Sequence, residues 1–424
     1  MNDRPSTPRA AWWILTVLGL VFALFAGDRA VLGILKTTLG TEIGLTNSGY
    51  SLLVTSFMVP YTVMYLFVGG WIDRIGVKIM LAFCVIGMSA ASVIAGLAHG
   101  LPQMAVSRFV LGVAEAGIVP AITVAIFTWF ASERRAVAYS LANTIQQTAY
   151  ILSPPFVAAI TLGIGWRWSF LLPGLTGFGI AVLWWHANRV AGAPPPPEAG
   201  ANVPAADGLG LFARLRLLLA LPAVRMLILA RVISDPFWFF FQYWQTAFLQ
   251  ERVGLSLARV GQLTWIPPLV YVGVALVLSA FSDRLIARGW AAPKARLVLI
   301  LWATALAPAA FCLPFVRSET LAIVLVTLVW IMCATWLNMS SVFMGALVPR
   351  QTLASAIGIM SALGGVTSIL FNAVVGMIID RFGYDLPFWF GACLHPLAAG
   401  LLAWHFLRKK PTTAPQPAVR DARA

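Results

Sequence analysis

The sequence predicts an all-α membrane protein of twelve transmembrane helices in two six-helix bundles. Three observations carry this prediction. The chain of 424 residues is 60% hydrophobic and 10% charged, whereas an ordinary soluble domain is about 45–50% apolar and about 25% charged. Apolar runs of about 20 residues, the length that crosses a bilayer, recur twelve times. One stretch over residues 190–210, VAGAPPPPEAGANVPAADGLG, has linker composition and divides the runs six and six.

The spans of the first half are expected near 12–35, 48–70, 77–97, 103–129, 136–163 and 168–188. Those of the second half are expected near 222–249, 259–281, 295–316, 320–347, 352–379 and 386–407. The implied organisation is a tail over 1–11, a bundle over 12–188, a linker over 189–221, a bundle over 222–408 and a tail over 409–424. The first run is too long for a signal-peptide core and contains charges, so it is expected to remain as a span. LFARLRLLLALPAVR, after the linker, has the pattern of a short amphipathic helix. Pro60, Pro154, Pro155, Pro267 and Pro268 are expected kinks, tolerated where neighbours satisfy the freed carbonyls. Gly112 with Ala116, Gly69 with Asp73, and Gly364 and Gly365 near Ser368 are small-residue contacts that let helix backbones approach.

The net charge of +14 does not indicate nucleic acid, because the basic residues alternate between connections. They gather at Arg4 and Arg9, Arg74 and Lys78, Arg134 and Arg135, Arg189, Arg214 and Arg216, Arg284 to Arg296, Arg350, and Arg408 to Lys410. The intervening connections hold isolated ones such as Lys36, Arg167, Arg252 and Arg317. This is positive-inside asymmetry, expected of a multi-pass membrane protein with both termini in the cytoplasm. Cys84, Cys312, Cys333 and Cys393 fall within apolar runs without metal-like spacing and read as small core residues without disulfides.

The halves echo each other. GGWIDRIGVK joins the second and third spans and SAFSDRLIARG the eighth and ninth, placing Asp73-Arg74 and Asp283-Arg284 alike just after an apolar run. Such a half-chain repeat suits a transporter whose site lies between two bundles. Gly69, Asp73, Arg74, Gly76 and Lys78 fit G-x-x-x-D-R-x-G-x-K/R, and this resembles the loop motif of the major facilitator superfamily, where it latches the bundles on the cytoplasmic side. DRAVLG, SRFVLGVAEAGIVPA, WFASERRAVAYS, GWRWSF and SDRLIARGW together resemble the anion:cation symporter branch, which includes hexuronate, galactonate and glucarate importers. SDPFWFFFQYW with WIPPL looks closest to the hexuronate transporters. The resemblance covers nearly the whole chain apart from linker and tails. It implies import of an organic anion with protons, Arg29 as the carboxylate ligand, and proton coupling at Asp28 and Glu115.

The residues give the same reading independently. A charge at the bilayer centre costs at least roughly 2.5–3.5 kcal/mol on insertion scales, so Asp28, Arg29, Arg108 and Glu115 inside apolar runs need a reason. The guanidinium of Arg29 offers a planar donor fork that matches a carboxylate and stays charged when buried; the plainer alternative is that it only neutralises Asp28 or Glu115. Burial penalises a charged carboxylate unless a cation is near. A carboxylate whose arginine a substrate can capture is therefore a proton-coupling device, and a fixed ion pair is the alternative. Arg108 and Glu115 are two helical turns apart, about 10 Å along the axis, so charge balance points Arg108 to Asp28 on another span.

Tyr61, Gln146 and Gln147 resemble hydroxyl-reading positions of sugar-acid importers, with interhelical hydrogen bonding as the alternative. In the seventh span Arg231 and Asp235 are four apart and fit a structural pair better than a coupling site. The aromatic run Phe237 to Phe241, with Gln242, Tyr243, Trp244 and Gln245, offers either core packing or a wall for a sugar ring; Tyr243 and Trp244 are the candidates for substrate contact. Where relatives commonly have Trp-Leu-Pro, this chain has Trp244-Gln245-Thr246. Asn338 and Ser341 are the expected pocket residues of the second half, and His395 reads as a satisfied core histidine. No Walker loop, dinucleotide fingerprint or zinc spacing is present, so neither an enzyme, a cofactor nor a metal is expected. The expected partners are a small organic anion, protons and lipid, with the protein a monomer. The competing readings are a symporter for an aromatic or small carboxylate, and a proton-coupled exporter.

Overall fold

In a computed structural model, which describes residues 9–192 and 211–408, every long element is a helix. The first bundle contains α1 (Arg9–Ile34), α2 (Asn47–Tyr65), α3 (Val68–Gly96), α4 (Leu101–Trp129), α5 (Ser132–Ile164) and α6 (Trp168–Ala191). The second contains α7 (Pro222–Phe248), α8 (Leu257–Ala287), α9 (Ala292–Phe315), α10 (Glu319–Met344), α11 (Arg350–Phe382) and α12 (Asp385–Arg408). Ten of these are long and apolar enough to cross a membrane by length and composition. The other two have visible reasons to fall short: α2 carries Asn47, Ser48, Ser51, Thr55 and Ser56, and α7 carries Arg225, Arg231 and Asp235. The expected tails over 1–8 and 409–424 and the linker core over 193–210 lie outside the described residues. The expected short helix after the linker runs Leu211–Ala220.

Three expectations need correction. The second span ends at Tyr65, not residue 70, and the motif after it is helical from Val68, broken at Gly76 with φ +79°. Only glycine adopts that left-handed backbone without strain, which is why the helix turns there. Cys312 and Cys393 are exposed, so only Cys84 and Cys333 are core residues; all four are free thiols. The fourth span is two pieces, Leu101–Glu115 and Ile118–Trp129.

Within the first bundle α1 packs on α5 and α6, α3 on α6, and α4 on α2 and α3. A Cβ on Gly112 would lie 2.4 Å from the Phe57 carbonyl oxygen, so a glycine is what lets α4 meet α2. Within the second bundle α7 packs on α11 and α12, and α10 on α8 and α9. The bundles meet where α2 packs on α11 and where the start of α8 packs on α5. With twelve long helices in alternating order, both ends of the described chain fall on the face that carries Asp73, and at the opposite face the bundles are joined by hydrogen bonds. Asp380 accepts from Asn47 Nδ2 at 2.8 Å and from the Ser48 backbone N–H at 3.0 Å. Lys36 donates to Glu251 and Asn47, Gln250 Nε2 donates to the Ile34 carbonyl at 3.0 Å, and the Gly376 N–H donates to Ser51 Oγ at 2.8 Å.

Candidate functional site

The charged residues of the first bundle converge in its core. Arg29 Nε donates to Glu115 Oε2 at 2.9 Å, and Glu115 is fully buried. The helix carrying Glu115 breaks directly after it, at Ala116–Gly117. A Cβ on Gly117 would lie 2.6 Å from Cys84 Sγ, so this glycine lets α4 press on α3 and fixes the depth of the carboxylate. The Arg29 guanidinium is surrounded by rings, with its carbon 4.3 Å from the Phe25 centroid, 4.8 Å from that of Tyr61 and 5.3 Å from that of Phe57. Such faces stabilise a cation without consuming its N–H donors.

Asp28 faces α3, where Ser92 Oγ donates to its Oδ1 at 2.9 Å. Arg108 is buried over the Phe170 ring, 5.5 Å from its centroid. It was expected to pair with Asp28. Among the described residues it forms no ion pair with it and stays within electrostatic range of both Asp28 and Glu115. Packing on Phe170 and the Ser92 bond hold the two side chains in place separately. Four buried polar atoms of this quartet have no hydrogen-bond partner in the protein: Asp28 Oδ2, Arg29 Nη2, Arg108 Nε and Glu115 Oε1. Buried polar atoms are ordinarily paired, so the quartet retains unused donors and acceptors, while its two cations balance its two acids.

Arg29 also reaches the interface between bundles. It lines a cavity of about 590 Å³, counting the part open to solvent, together with Tyr150, Gln242, Tyr243, Gln245 and Trp330. Arg29, Arg108 and Tyr243 border a second void of about 270 Å³ between α1, α2, α4 and α7. Helices α1 and α5 thus supply one wall of the larger cavity and α7, α8 and α10 the other, with aromatic, proline and amide side chains around a single cation.

Of the residues singled out in the sequence, Arg29 and Tyr243 line this cavity, and Tyr61 reaches it only through Arg29. Gln146 is half-buried, Gln147 is exposed, and neither lines it; the α5 residues that do are Tyr150 and Pro154, one and two turns further along the same face. Trp244 does not line it either. It is fully buried, edge-on to Tyr50 at 4.7 Å. Asn338 donates to Tyr271 Oη, and Ser341 donates to the Leu337 carbonyl at 3.2 Å. The first bond joins α10 to α8 and the second lies within α10; neither residue lines the cavity, where the α10 residue is Trp330. Tyr150 and Trp330 escaped sequence reasoning because an aromatic residue in an apolar run looks like core.

Four phenylalanines of α7 are core: Phe237, Phe240, Phe241 and Phe248 pack around Phe388, while Phe239 is half-buried. Arg231 and Asp235 form a buried two-point pair, Nε to Oδ1 at 2.6 Å and Nη2 to Oδ2 at 2.8 Å, with Arg231 Nη1 donating to Ser340 Oγ at 2.8 Å. His395 is buried between Trp336 and Phe237, but its Nδ1 has no partner, so it is less satisfied than expected. Of the loop motif, Gly69, Asp73, Arg74 and Gly76 are exposed, as are Asp283 and Arg284 of its repeat. Lys78 is fastened to α6, its Nζ 4.3 Å from the Trp185 ring centroid and its carbonyl accepting from Trp184 Nε1 at 2.9 Å. Among the described residues no group of three or more His, Cys, Asp or Glu could hold a metal.

Comparison with known proteins agrees with this architecture. A probable sulfoacetate transporter of Cupriavidus necator is 26% identical over 410 residues, covering 93% of each chain. A probable L-galactonate transporter of Escherichia coli is 25% identical, covering 92% of this chain and 87% of its own; the hexuronate transporter of the same organism is 22% identical, covering 94% of each. In fold, the chain matches a bacterial homolog of the human lysosomal transporter Spinster with TM-score 0.74 at 19% identity, covering 94% of this chain and 93% of that one. It matches the D-xylose-proton symporter with TM-score 0.72 at 14% identity, covering 92% and 97%. The family model described as Major Facilitator Superfamily matches residues 17–344, and the chain therefore belongs to that superfamily of membrane transporters.

Proposed function

We propose that this protein is a symporter that imports an organic anion, a hexuronate or another sugar acid, together with protons. The observation that carries the reading is the state of Arg29. Its Nε is engaged by Glu115 while its Nη2 is buried without a partner, beside the inter-bundle cavity. A guanidinium in that state can accept a substrate carboxylate on its free edge. The names of the sulfoacetate, galactonate and hexuronate transporters that the chain resembles support an oxygen-rich anionic cargo.

Coupling follows from charge. When a carboxylate enters and draws Arg29 to itself, Glu115 loses its cation inside apolar protein. A buried unpaired charge is expensive, so Glu115 takes a proton, and the proton travels with the anion. Asp28, near Arg108, supplies a second place for one. Tyr61 steadies Arg29 from below, and Tyr243 contacts the cargo from the second bundle. Gln146, Gln147, Asn338 and Ser341 meet substrate only if it passes toward the Asp73 face, and Trp244 meets none. The bundles, residues 12–188 and 222–408, rock about this site across the 189–221 linker, with Asp73, Arg74, Asp283 and Arg284 latching the face that closes in the other half of the cycle. The protein acts as a monomer in a bacterial inner membrane with both termini cytoplasmic, as the alternation of basic connections implies.

The test is uptake of labelled galacturonate, glucuronate and galactonate into proteoliposomes with and without an inward proton gradient. Gradient-driven accumulation of at least one is expected, and Arg29→Ala abolishes it while the protein still inserts. Uptake that survives Arg29→Ala removes the carboxylate assignment; accumulation indifferent to the gradient removes the coupling.

A further inference from the structure

Gln245 is a polar side chain only 8% exposed, set in the wall of the cavity across from Arg29. Trp330 Nε1 donates to its Oε1 at 2.8 Å. An indole N–H is a donor only, so the oxygen of the Gln245 amide must face Trp330 and the NH2 group must face away from it. Among the described residues that NH2 group donates to nothing. The indole is itself held: Trp238 stands edge-on to it at 5.1 Å and 88°, and Tyr150 meets it edge-on at 6.0 Å from the first bundle. The wall opposite the guanidinium therefore presents an oriented, uncharged N–H donor framed by aromatic surface.

We propose that Gln245, positioned by Trp330, determines cargo specificity by selecting organic anions that carry an oxygen acceptor at the end remote from the carboxylate. That acceptor is a hydroxyl, a second carboxylate or a sulfonate. The proposal rests on the reading of Arg29 as the carboxylate ligand. A purely aliphatic monocarboxylate satisfies Arg29 and offers the Gln245 amide no acceptor. A site built to hydrogen-bond its substrate discriminates strongly against an analogue that lacks the partner. Gln245→Leu removes the donor at similar volume. Trp330→Phe keeps an aromatic ring in the cavity wall and removes the N–H that orients the amide.

The experiment is equilibrium binding of D-galactonate and of hexanoate to purified protein. The two share a six-carbon skeleton and one carboxylate and differ in hydroxyls. Wild type is expected to bind galactonate at least about tenfold more tightly than hexanoate. Gln245→Leu is expected to weaken galactonate about tenfold with hexanoate little changed, and Trp330→Phe to narrow the preference in the same direction. Retained hexanoate binding shows that the variant site is folded. The inference is overturned if Gln245→Leu leaves the preference intact, or if both ligands weaken together. A wild-type preference at Trp330→Phe overturns the positioning role. If wild type binds hexanoate more tightly than galactonate, the specificity claim fails while carboxylate carriage stands. If it binds neither, and Arg29→Ala behaves identically, the functional reading falls as well.

Discussion

Gly364 carries a consequence at the scale of one residue. A Cβ there would lie 2.1 Å from Asp235 Oδ2 and 2.9 Å from its Cγ. The carboxylate cannot step aside, because Arg231 holds both of its oxygens and is itself held by Ser340 of α10. Thr367 Oγ1, one turn on, donates to the Val232 carbonyl at 2.9 Å and keeps α11 in register with α7. Gly364→Ala must therefore either push α11 outward or break the buried pair. Overpacking of this kind costs about 1–3 kcal/mol, and a disrupted buried pair costs more because it leaves an uncompensated charge. Thermal unfolding of the purified variant in detergent is expected to occur at clearly lower temperature than wild type. Gly400→Ala, at a glycine with open space around it, is expected to unfold as wild type does. Equal unfolding temperatures for Gly364→Ala and wild type would mean that the helices are not locked at this point.

At the scale of elements, α2 has an N-terminus capped twice. Thr46 accepts from the Gly49 N–H at 3.1 Å within its own bundle. Asp380 of the other bundle accepts from the Ser48 N–H and from Ser48 Oγ at 2.5 Å. A carboxylate at a helix N-terminus is favoured by both the free N–H groups and the helix dipole, by about 0.5–2 kcal/mol. Here that preference becomes a force that holds two bundles together. Lys36 acts beside it: burial pushes its ammonium down from the usual lysine range, and Glu251 opposes that shift. Asp380→Asn is expected to loosen the closure by about 1 kcal/mol, about fivefold in opening. A cysteine at Ala30, which lines the cavity, reports it as faster labelling by an impermeant maleimide from the face opposite Asp73. An unchanged rate would mean that the cap plays no part in closure. What was legible in the sequence follows the same scale. The helix faces were readable, because Gln146 and Tyr150 share a face one turn apart and so have the same periodic signature. Depth was not readable. Gln146 and Asn338 both lie nearer the Asp73 face than the cavity residues Tyr150 and Trp330, because polarity in an apolar run marks a packed bond as readily as a pocket. Arg29 was legible because a charge in such a run has few innocent explanations, whereas Trp330 has many.

For the whole molecule, the bonds of the closed face make a claim about motion. Asn47 and Asp380 belong to different bundles, as do Lys36 and Glu251, Gln250 and Ile34, and Ser51 and Gly376. All of them lie on one side of the cavity that contains Arg29. If transport proceeds by rocking of rigid bundles about that cavity, each of these bonds must break once per cycle. Of these residues only Ile34 lines the cavity, so fastening Asn47 to Asp380 should leave binding intact and stop transport. Asn47→Cys combined with Asp380→Cys, in a chain whose four native cysteines are replaced, can be joined by a short bis-methanethiosulfonate reagent, since the native side chains approach to 2.8 Å. Uptake is expected to fall to background on cross-linking and to return when the disulfides are reduced. Ligand binding from the Asp73 face is expected to persist throughout, because Arg29 and the cavity lining are not displaced. Each single-cysteine protein treated with the reagent should transport as before. Uptake that continues in fully cross-linked protein would mean that the bundles need not part at this face, and substrate would then have to reach Arg29 by a path through one bundle instead of between two.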